Sequence, residues 1–398
     1  MLSLAALLCA VPSSAAPRDY RFDGSISRPV LENYLSRCVT FMDLLTGVGN
    51  VDDNLRMVGN MGVKYAGRVI YRWGGEEALP GMLPRGREIA RRLHEADPDL
   101  ILQGCVFEIV TPSVEKLPIP EWVFAEFGLK PETRNFRYDA MLFPGGRFRD
   151  HWGKDSSVPD MCQLETRMWF FYVACCYIDI GCEAIHFGQV HLIGHEDEGW
   201  RNWWDMLSRV RQYAKTHARR HLVLCDAHTH GLCTDGEKLL FDLHAYPLRI
   251  KDISDRPGDA QRRTEGELQE GYVDSIFGKS LGGMTPSGWS CDHLPYIVEL
   301  DNWGASDKPG THVEGWTWGW DEICWFAHQP EAYRNSWLRY ARDWLREHDP
   351  NGHLQMPASR CLASPVGKLD WYLANTQSPA TPHGFSQEQA IKAIWASE

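Results

Sequence analysis

Three apolar segments in the second half of this 398-residue chain end in polar residues at every second position. The first closes with Asp226, His228 and His230, the second carries Asp242, His244 and Tyr246, and the third carries Glu299, Asp301 and Trp303. Successive side chains of a strand point to opposite faces, so each set shares one face of its strand. A strand buried on both faces should be almost wholly apolar, and polar residues in it need a reason. If the three faces look inward, their carboxylates and imidazoles gather at one rim. There, one carboxyl can act as nucleophile or base while another, kept protonated by its surroundings, acts as acid. Burying that many ionisable groups is costly unless they are paired or wet, and an open rim lowers the cost.

Other residues could join them. The stretch "EAIHFGQVHLIGHEDEG", Glu183 to Gly199, offers His186, Gln189 and His191, with Glu196 and Glu198 as carboxyls on a loop, and Glu108 stands near the end of an earlier apolar run. Flat amphipathic rings suit the apolar faces of sugars, and carboxylates suit their hydroxyls. The loop "GTHVEGWTWGWDEICWF" brings Trp316, Trp318, Trp320 and Trp325 together, and Trp73, Trp152, Trp200, Trp203 and Trp289 fall near other connections. Ordinary core packing accounts for some of these tryptophans. Arg68, Arg72 and Arg360 stand near strand ends, where they could engage an acidic sugar or pair with surface carboxylates.

These residues need a scaffold. The chain alternates apolar strands with amphipathic helices, the pattern of parallel βα units. Strands are expected at "RCVTFMDLLTG", "YAGRVIYRW", "LILQGCVFEIVT", "EAIHFG", "HLVLCDAHTHG", "KLLFDLHAYPLRI", "YIVELDNWG" and "HLQMPASRCL", with helices between them, that after the fifth being short or missing. Insertions are expected after strand three, from about Pro112 to Asp160, and after strand six, from about Lys251 to Asp292. Eight such units in order predict an α/β fold, a (β/α)8 TIM barrel, whose active sites lie at the C-terminal rim. A doubly wound open sheet is the second choice, but no glycine-rich phosphate turn follows an early strand.

Composition sets the class. With 43% hydrophobic and 12% aromatic residues the chain should fold around a large core. A formal charge of −12 and no long Lys/Arg run argue against nucleic acid or an anionic membrane as partner. The start, "MLSLAALLCAVPSSAAPRDY", has an apolar run from Leu2 to Val11 followed by small residues, which predicts a signal peptide over 1–16, a single catalytic domain over 17–398, and a secreted or periplasmic protein. No later run is long enough to span a bilayer. The cysteines beyond Cys9 form no C-x-x-C pair and mostly lie in apolar segments, where buried thiols are the simpler reading.

"FDLHAYP" on strand six followed by "VELDNWG" on strand seven resembles the barrel glycoside hydrolases of the large retaining clan. That resemblance implies cleavage of glycosidic bonds, with Glu299 as nucleophile, His244 and Tyr246 beside it, and Asp301 as a rival on the same face. The clan places an acidic Asn-Glu pair at the end of strand four, where this chain has "HFGQ" with Gln189. The acid is then expected from Asp226, Glu108, Glu196 or Glu198, with Gln189, His186, His191, His228, His230, His244, Asp242, Trp303, Trp318, Trp320 and Arg72 around the sugar. No cofactor is expected. Two alternatives stay open: a metal-dependent hydrolase using His228, His230, His244 and Asp226, and a carbohydrate-binding barrel without turnover. A Ser nucleophile elbow is absent.

Overall fold

The computed structural model describes residues 18–234, 236–252, 265–270, 280–301 and 322–397. The expected signal segment over 1–16, the Trp303 position and the Trp316, Trp318 and Trp320 loop lie outside them. Eight parallel strands form the centre: β1 (Cys38–Phe41), β2 (Tyr65–Ile70), β3 (Ile101–Cys105), β4 (Ala184–His186), β5 (Leu224–Asp226), β6 (His244–Pro247), β7 (Tyr296–Glu299) and β8 (Gly352–Val366). Their order is β5, β4, β3, β2, β1, β8, β7, β6. A parallel bridge between His228 and Ala245 joins the two ends. Backbone N–H groups of Asp242 and Ala245 also donate to the carbonyls of Cys225 and Ala227, at 2.8 and 3.1 Å, so the sheet closes into a (β/α)8 barrel.

The strands appear where apolar runs predict them, and helices follow where the apolar period is 3.6. Helix α1 (Arg28–Leu35) precedes β1, and α2 (Val51–Met61) follows it. The Asn50 side chain accepts from the Asp53 N–H at 3.0 Å to start α2, and Gly62 ends it with a left-handed φ of 74°. Helix α3 (Leu79–Ala96) backs β2 and β3. The short α4 (Glu121–Glu126) lies in the long connection after β3. Helix α5 (Leu164–Asp179) is apolar on nearly every side because that connection covers its outer face. Trp122 of α4 meets Phe171 of α5 at 5.7 Å between ring centroids, and Phe136 meets Trp169 at 5.1 Å. After β4 come the single-turn α6 (Val190–Ile193) and the amphipathic α7 (Arg201–His217). Between β5 and β6 the described residues hold one short antiparallel pairing, Cys233–Thr234 with Lys238–Leu239, and no helix. Helices α8 (Glu322–His328) and α9 (Glu331–His348) precede β8, an antiparallel β9 (Leu369–Leu373) folds back on it, and α10 (Glu388–Ala396) ends the chain. Arg56 of α2 fixes α10 through bonds of 2.7 and 2.9 Å to Glu388, joining the last helix to the first turn of the barrel.

The barrel interior is layered. At its N-terminal end Leu31, Tyr34 and Leu35 of α1 seal a plug with Cys38, Tyr65, Ile101, Ala184, Leu224, Leu243, Ala245 and Ile297. The next layer is polar: Gln103 and Gln355 meet over Gly67, where a Cβ would collide with the Gln355 amide and come within 2.9 Å of Gln103 Oε1. Gly67→Ala is therefore expected to destabilise the fold by about 1–3 kcal/mol through overpacking, read as a lower denaturation midpoint at unchanged slope. Among the described residues no helix is long and apolar enough to cross a membrane.

Candidate active site

Above the two glutamines, the inward positions of β2, β4, β5, β7 and β8 carry a polar cluster. Its hub is Glu299 at the end of β7, 2% exposed. One carboxylate oxygen is bound by Arg68. The other accepts from Thr40 at 2.9 Å, with Arg360 Nη2 3.7 Å away. Burial alone would raise this carboxyl, but the Arg360 and Arg68 guanidiniums outweigh it and hold Glu299 well below the usual carboxylate range. Arg68 reaches inward because its backbone is left-handed, φ 65°, at an irregularity in the β2–β3 register. Gln103 Oε1 accepts the Arg68 N–H at 3.2 Å and holds that conformation. A non-glycine residue in this region is strained and is kept only where its surroundings fix it.

Two strands along from Glu299, at the end of β5, Asp226 is fully buried. Its Oδ1 accepts from Gln103 Nε2 at 2.5 Å, and its Oδ2 lies 2.7 Å from His186 Nδ1. Burial pushes this carboxyl up to about 8, against the lowering effects of Arg68 and the Gln103 bond. His186 is driven well below its ordinary range, mainly by burial and then by Arg68. Its Nε2 is buried with no hydrogen-bond partner among the described residues, and so is Arg360 Nη1. His228, inward just beyond β5, lies 3.2 Å from Arg68 through Nε2. Because a guanidinium can only donate, that nitrogen must be the acceptor and the ring hydrogen sits on Nδ1. Burial, His186 and Arg68 hold His228 neutral by pushing it down to about 3. Asp301 stands at the rim, 15% exposed, with Arg360 and Arg249 at 3.4 and 3.3 Å. Arg249 also binds Glu322 at 3.1 Å. An aromatic wall flanks the cluster: Tyr71 and Phe107 lie 4.5 Å apart, Trp73 and Phe107 5.6 Å, and Trp73 and Trp152 5.2 Å.

The structure thus brings together Glu299, Asp301, Asp226, His186 and His228 with Arg68 and Arg360, and sets most of the other candidates elsewhere. On β6 the inward positions are Ala245 and Pro247, in register with Ile297 and Glu299 of β7. Asp242, His244 and Tyr246 therefore face out, correcting the expectation that all three sets line one rim. A spacing of two fixes a shared face without saying which. Asp242 accepts from Arg211 of α7 at 3.0 Å and from the Cys225 N–H at 2.9 Å. His244 and Tyr246 both meet Ser280 Oγ, at 3.1 and 3.2 Å. His230 lies past the end of β5, exposed, its ring edge-on to outward Tyr246 at 5.7 Å. The proposed metal set is consequently split between the two faces of the sheet, and among the described residues no three His, Cys, Asp or Glu are grouped as metal ligands.

Glu196 and Glu198 are on an exposed loop, where Glu196 pairs with Arg147 at 3.3 Å. His191 of α6 bonds Thr229 at 3.1 Å. Glu108 is buried just beyond β3, and burial raises its carboxyl; its two oxygens take the Gln189 backbone N–H at 3.0 Å and side-chain Nε2 at 2.9 Å. Gln189, at the expected acid position, is thus a clamp on a carboxyl from the neighbouring connection. Arg72 donates to Gly75 of its own loop at 3.3 Å. Trp203 and Trp325 belong to the core, and Trp289 donates to Ile26 at the opposite end of the barrel, at 2.9 Å. Sequence reasoning missed Thr40, Gln103, Cys105 and Arg249; the two inward glutamines, in "ILQGC" and "HLQMP", carried a signal as lone amides in apolar strands.

No protein-family model matches the chain, and no curated protein matches it. Among solved structures, a GH27 β-L-arabinopyranosidase from Geobacillus stearothermophilus in complex with arabinose is similar at a TM-score of 0.30 and 9% identity, over 54% of each chain. A GH36 α-galactosidase from the same organism is similar at a TM-score of 0.26 and 10% identity, over 49% of this chain and 28% of that one. The likeness is remote. The chain spans about half of the first neighbour and under a third of the second.

Proposed function

We propose that this protein is a glycoside-hydrolase-like enzyme that cleaves a glycosidic bond at the C-terminal rim of its barrel. The observation that carries the reading is a pair of carboxyls facing one interior from β7 and β5, with β6 between them, driven apart in protonation: Glu299 held ionised by two arginines, Asp226 pushed to about 8. Environments that separate two titrating groups in this way assign base and acid, and glycosidic cleavage requires one of each. Glu299 or Asp301 is the nucleophile or base, and Asp301 has the more open position. Asp226 or Glu108 supplies the acid side. The rings of Trp73, Trp152 and Phe107 beside the cluster suit a sugar face, and the donors Arg360 Nη1 and His228 Nδ1–H suit its hydroxyls.

One observation favours a binding barrel without turnover: both Glu299 oxygens are already taken by Arg68 and Thr40. A panel of oligosaccharides and aryl glycosides, followed by release of reducing sugar, separates the two readings. Hydrolysis by the wild type that falls at least about a hundredfold in Asp301→Asn or Glu299→Gln is expected. Turnover unchanged in both variants would remove the mechanism, and binding without any release would favour the second reading.

A further inference from the structure

We propose that His186, positioned by Asp226, is the group that hands the proton to the leaving oxygen, from Nε2. The inference rests on the glycosidase reading and replaces its acid side with a dyad. Asp226 is sealed at 0% exposure, with one oxygen on Gln103 and the other on His186, so it has no free face to offer a substrate. His186 stands one strand over, at the C-terminal end of β4, between the rings of Phe107 at 6.0 Å and His228 at 4.8 Å. Its Nδ1 is occupied by Asp226 at 2.7 Å, while its Nε2 is buried with no partner among the described residues. An unmatched buried nitrogen costs about 1–3 kcal/mol, and such groups in native sites call for a ligand, a water or a catalytic role. Of these two neighbouring rings His228 is the more exposed, so the His228 side is the one nearer solvent.

The proton count follows from the single short bond between the two side chains. While the dyad is neutral, its shared proton sits either on Asp226 Oδ2 or on His186 Nδ1. In both arrangements Nε2 carries a hydrogen. In cleavage the glycosidic C–O bond breaks and its electron pair stays on the leaving oxygen, which takes the Nε2 hydrogen. The shared proton then lies on Nδ1, leaving a neutral ring and an Asp226 carboxylate. The anomeric carbon is taken by a carboxylate of the rim or by the water it activates, and the proton released from that water restores the dyad. The charged and titrating groups facing the dyad are Arg68 and Tyr65 on β2, Cys105 on β3, His228 beyond β5, Glu299 on β7 and Arg360 on β8, and Asp242 before β6 acts on Asp226 from the outer face. Arg68 and Arg360 disfavour an imidazolium, and Glu299 opposes them.

The test is the imidazole nitrogen spectrum of 15N-histidine-labelled full-length protein from pH 6 to 10, with the His186 signals assigned by their loss in His186→Gln. Nε2 should be protonated at pH 6, with the hydrogen moving to Nδ1 alone as the dyad loses its proton near pH 8, and this crossing should vanish in Asp226→Asn. Nε2 unprotonated at pH 6, or a crossing that survives in Asp226→Asn, overturns the proposal. If Asp226→Asn does not fold, Asp226→Glu serves instead, since a shifted crossing supports the coupling and an unshifted one refutes it. With aryl glycosides, His186→Gln should slow substrates with poor leaving groups by about 10²–10⁴-fold and leave dinitrophenyl glycosides nearly unaffected. An equal loss on both refutes the proton-donor role. Wild-type protein that cleaves no glycoside refutes the glycosidase reading itself, whatever the spectrum shows.

Discussion

Replacing Glu299 by Gln is expected to cost both turnover and stability. The side chain binds Arg68 and Thr40 and faces Arg360, with Arg68 and Arg360 both buried. Removing the charge leaves the Arg68 guanidinium in a low-dielectric interior without its ion-pair partner, while Arg360 keeps Asp301 at 3.4 Å. Breaking a buried pair on one side typically costs about 3–5 kcal/mol. The loss should show as a lower urea midpoint at pH 7, and glycoside turnover should fall by about 10²–10⁴-fold. The pH dependence is a second signature. The folded protein holds Glu299 below its ordinary range, whereas the unfolded chain titrates near the ordinary value of about 4.3. The stabilisation is therefore complete above that value and is lost as pH falls below it, because the unfolded chain then binds the extra proton. Glu299→Gln should flatten the acid limb of the stability curve. A variant as stable as wild type at pH 7, with the same acid limb, would show that Arg68 has no need of this partner.

The second large effect is the stability profile set by Asp226 and His186. Between about pH 4 and 6.5 the unfolded chain carries an ionised Asp and a charged His, while the folded dyad is neutral. Both states then hold the same number of protons, so the dyad adds no slope. Above 6.5 the unfolded His releases its proton and the folded dyad keeps its own until about 8. Stability should therefore decline by about 2 kcal/mol between pH 6.5 and 8, the unfolded state being the one that binds fewer protons there. Below pH 4 it should decline again, as the unfolded Asp gains a proton that the folded dyad does not take. Asp226→Asn should remove the alkaline decline, measured as midpoints at pH 6.5 and 8.5. A decline that is identical in the variant would assign it to other groups.

The strand order was readable because buried parallel strands are short, apolar and bounded by helices of period 3.6. Facing was not. Asp226 and Glu299 point inward and Asp242 and His244 outward, although all four have the same polar-alternate pattern. At β6 it is Leu243 and Ala245 that enter the apolar plug, which turns Asp242, His244 and Tyr246 outward. The plug itself depends on α1, whose short segment "RPVLENYL" has too few turns to stand out before the first strand. The β8–β9 hairpin was hidden in the same way, since Gly367 makes its tight turn with φ 65° only in a tertiary context. Within the site, the carboxyls and histidines were visible as residue types. Their partners were not: Arg68 reaches Glu299 across the barrel through a left-handed backbone, and Gln103 ties Arg68 to Asp226 over distances that no local pattern encodes.

The most direct test of the central claim is a proton NMR time course of wild-type protein and Asp301→Asn with each member of the glycoside panel at pH 6, watching the anomeric signals. At least one glycoside should be cleaved by the wild type, and Asp301→Asn, or Glu299→Gln run beside it, should cleave it at least about a hundredfold more slowly. No cleavage of any member, with sugar nonetheless bound at the barrel mouth, or equal cleavage by the wild type and both variants, would overturn the claim.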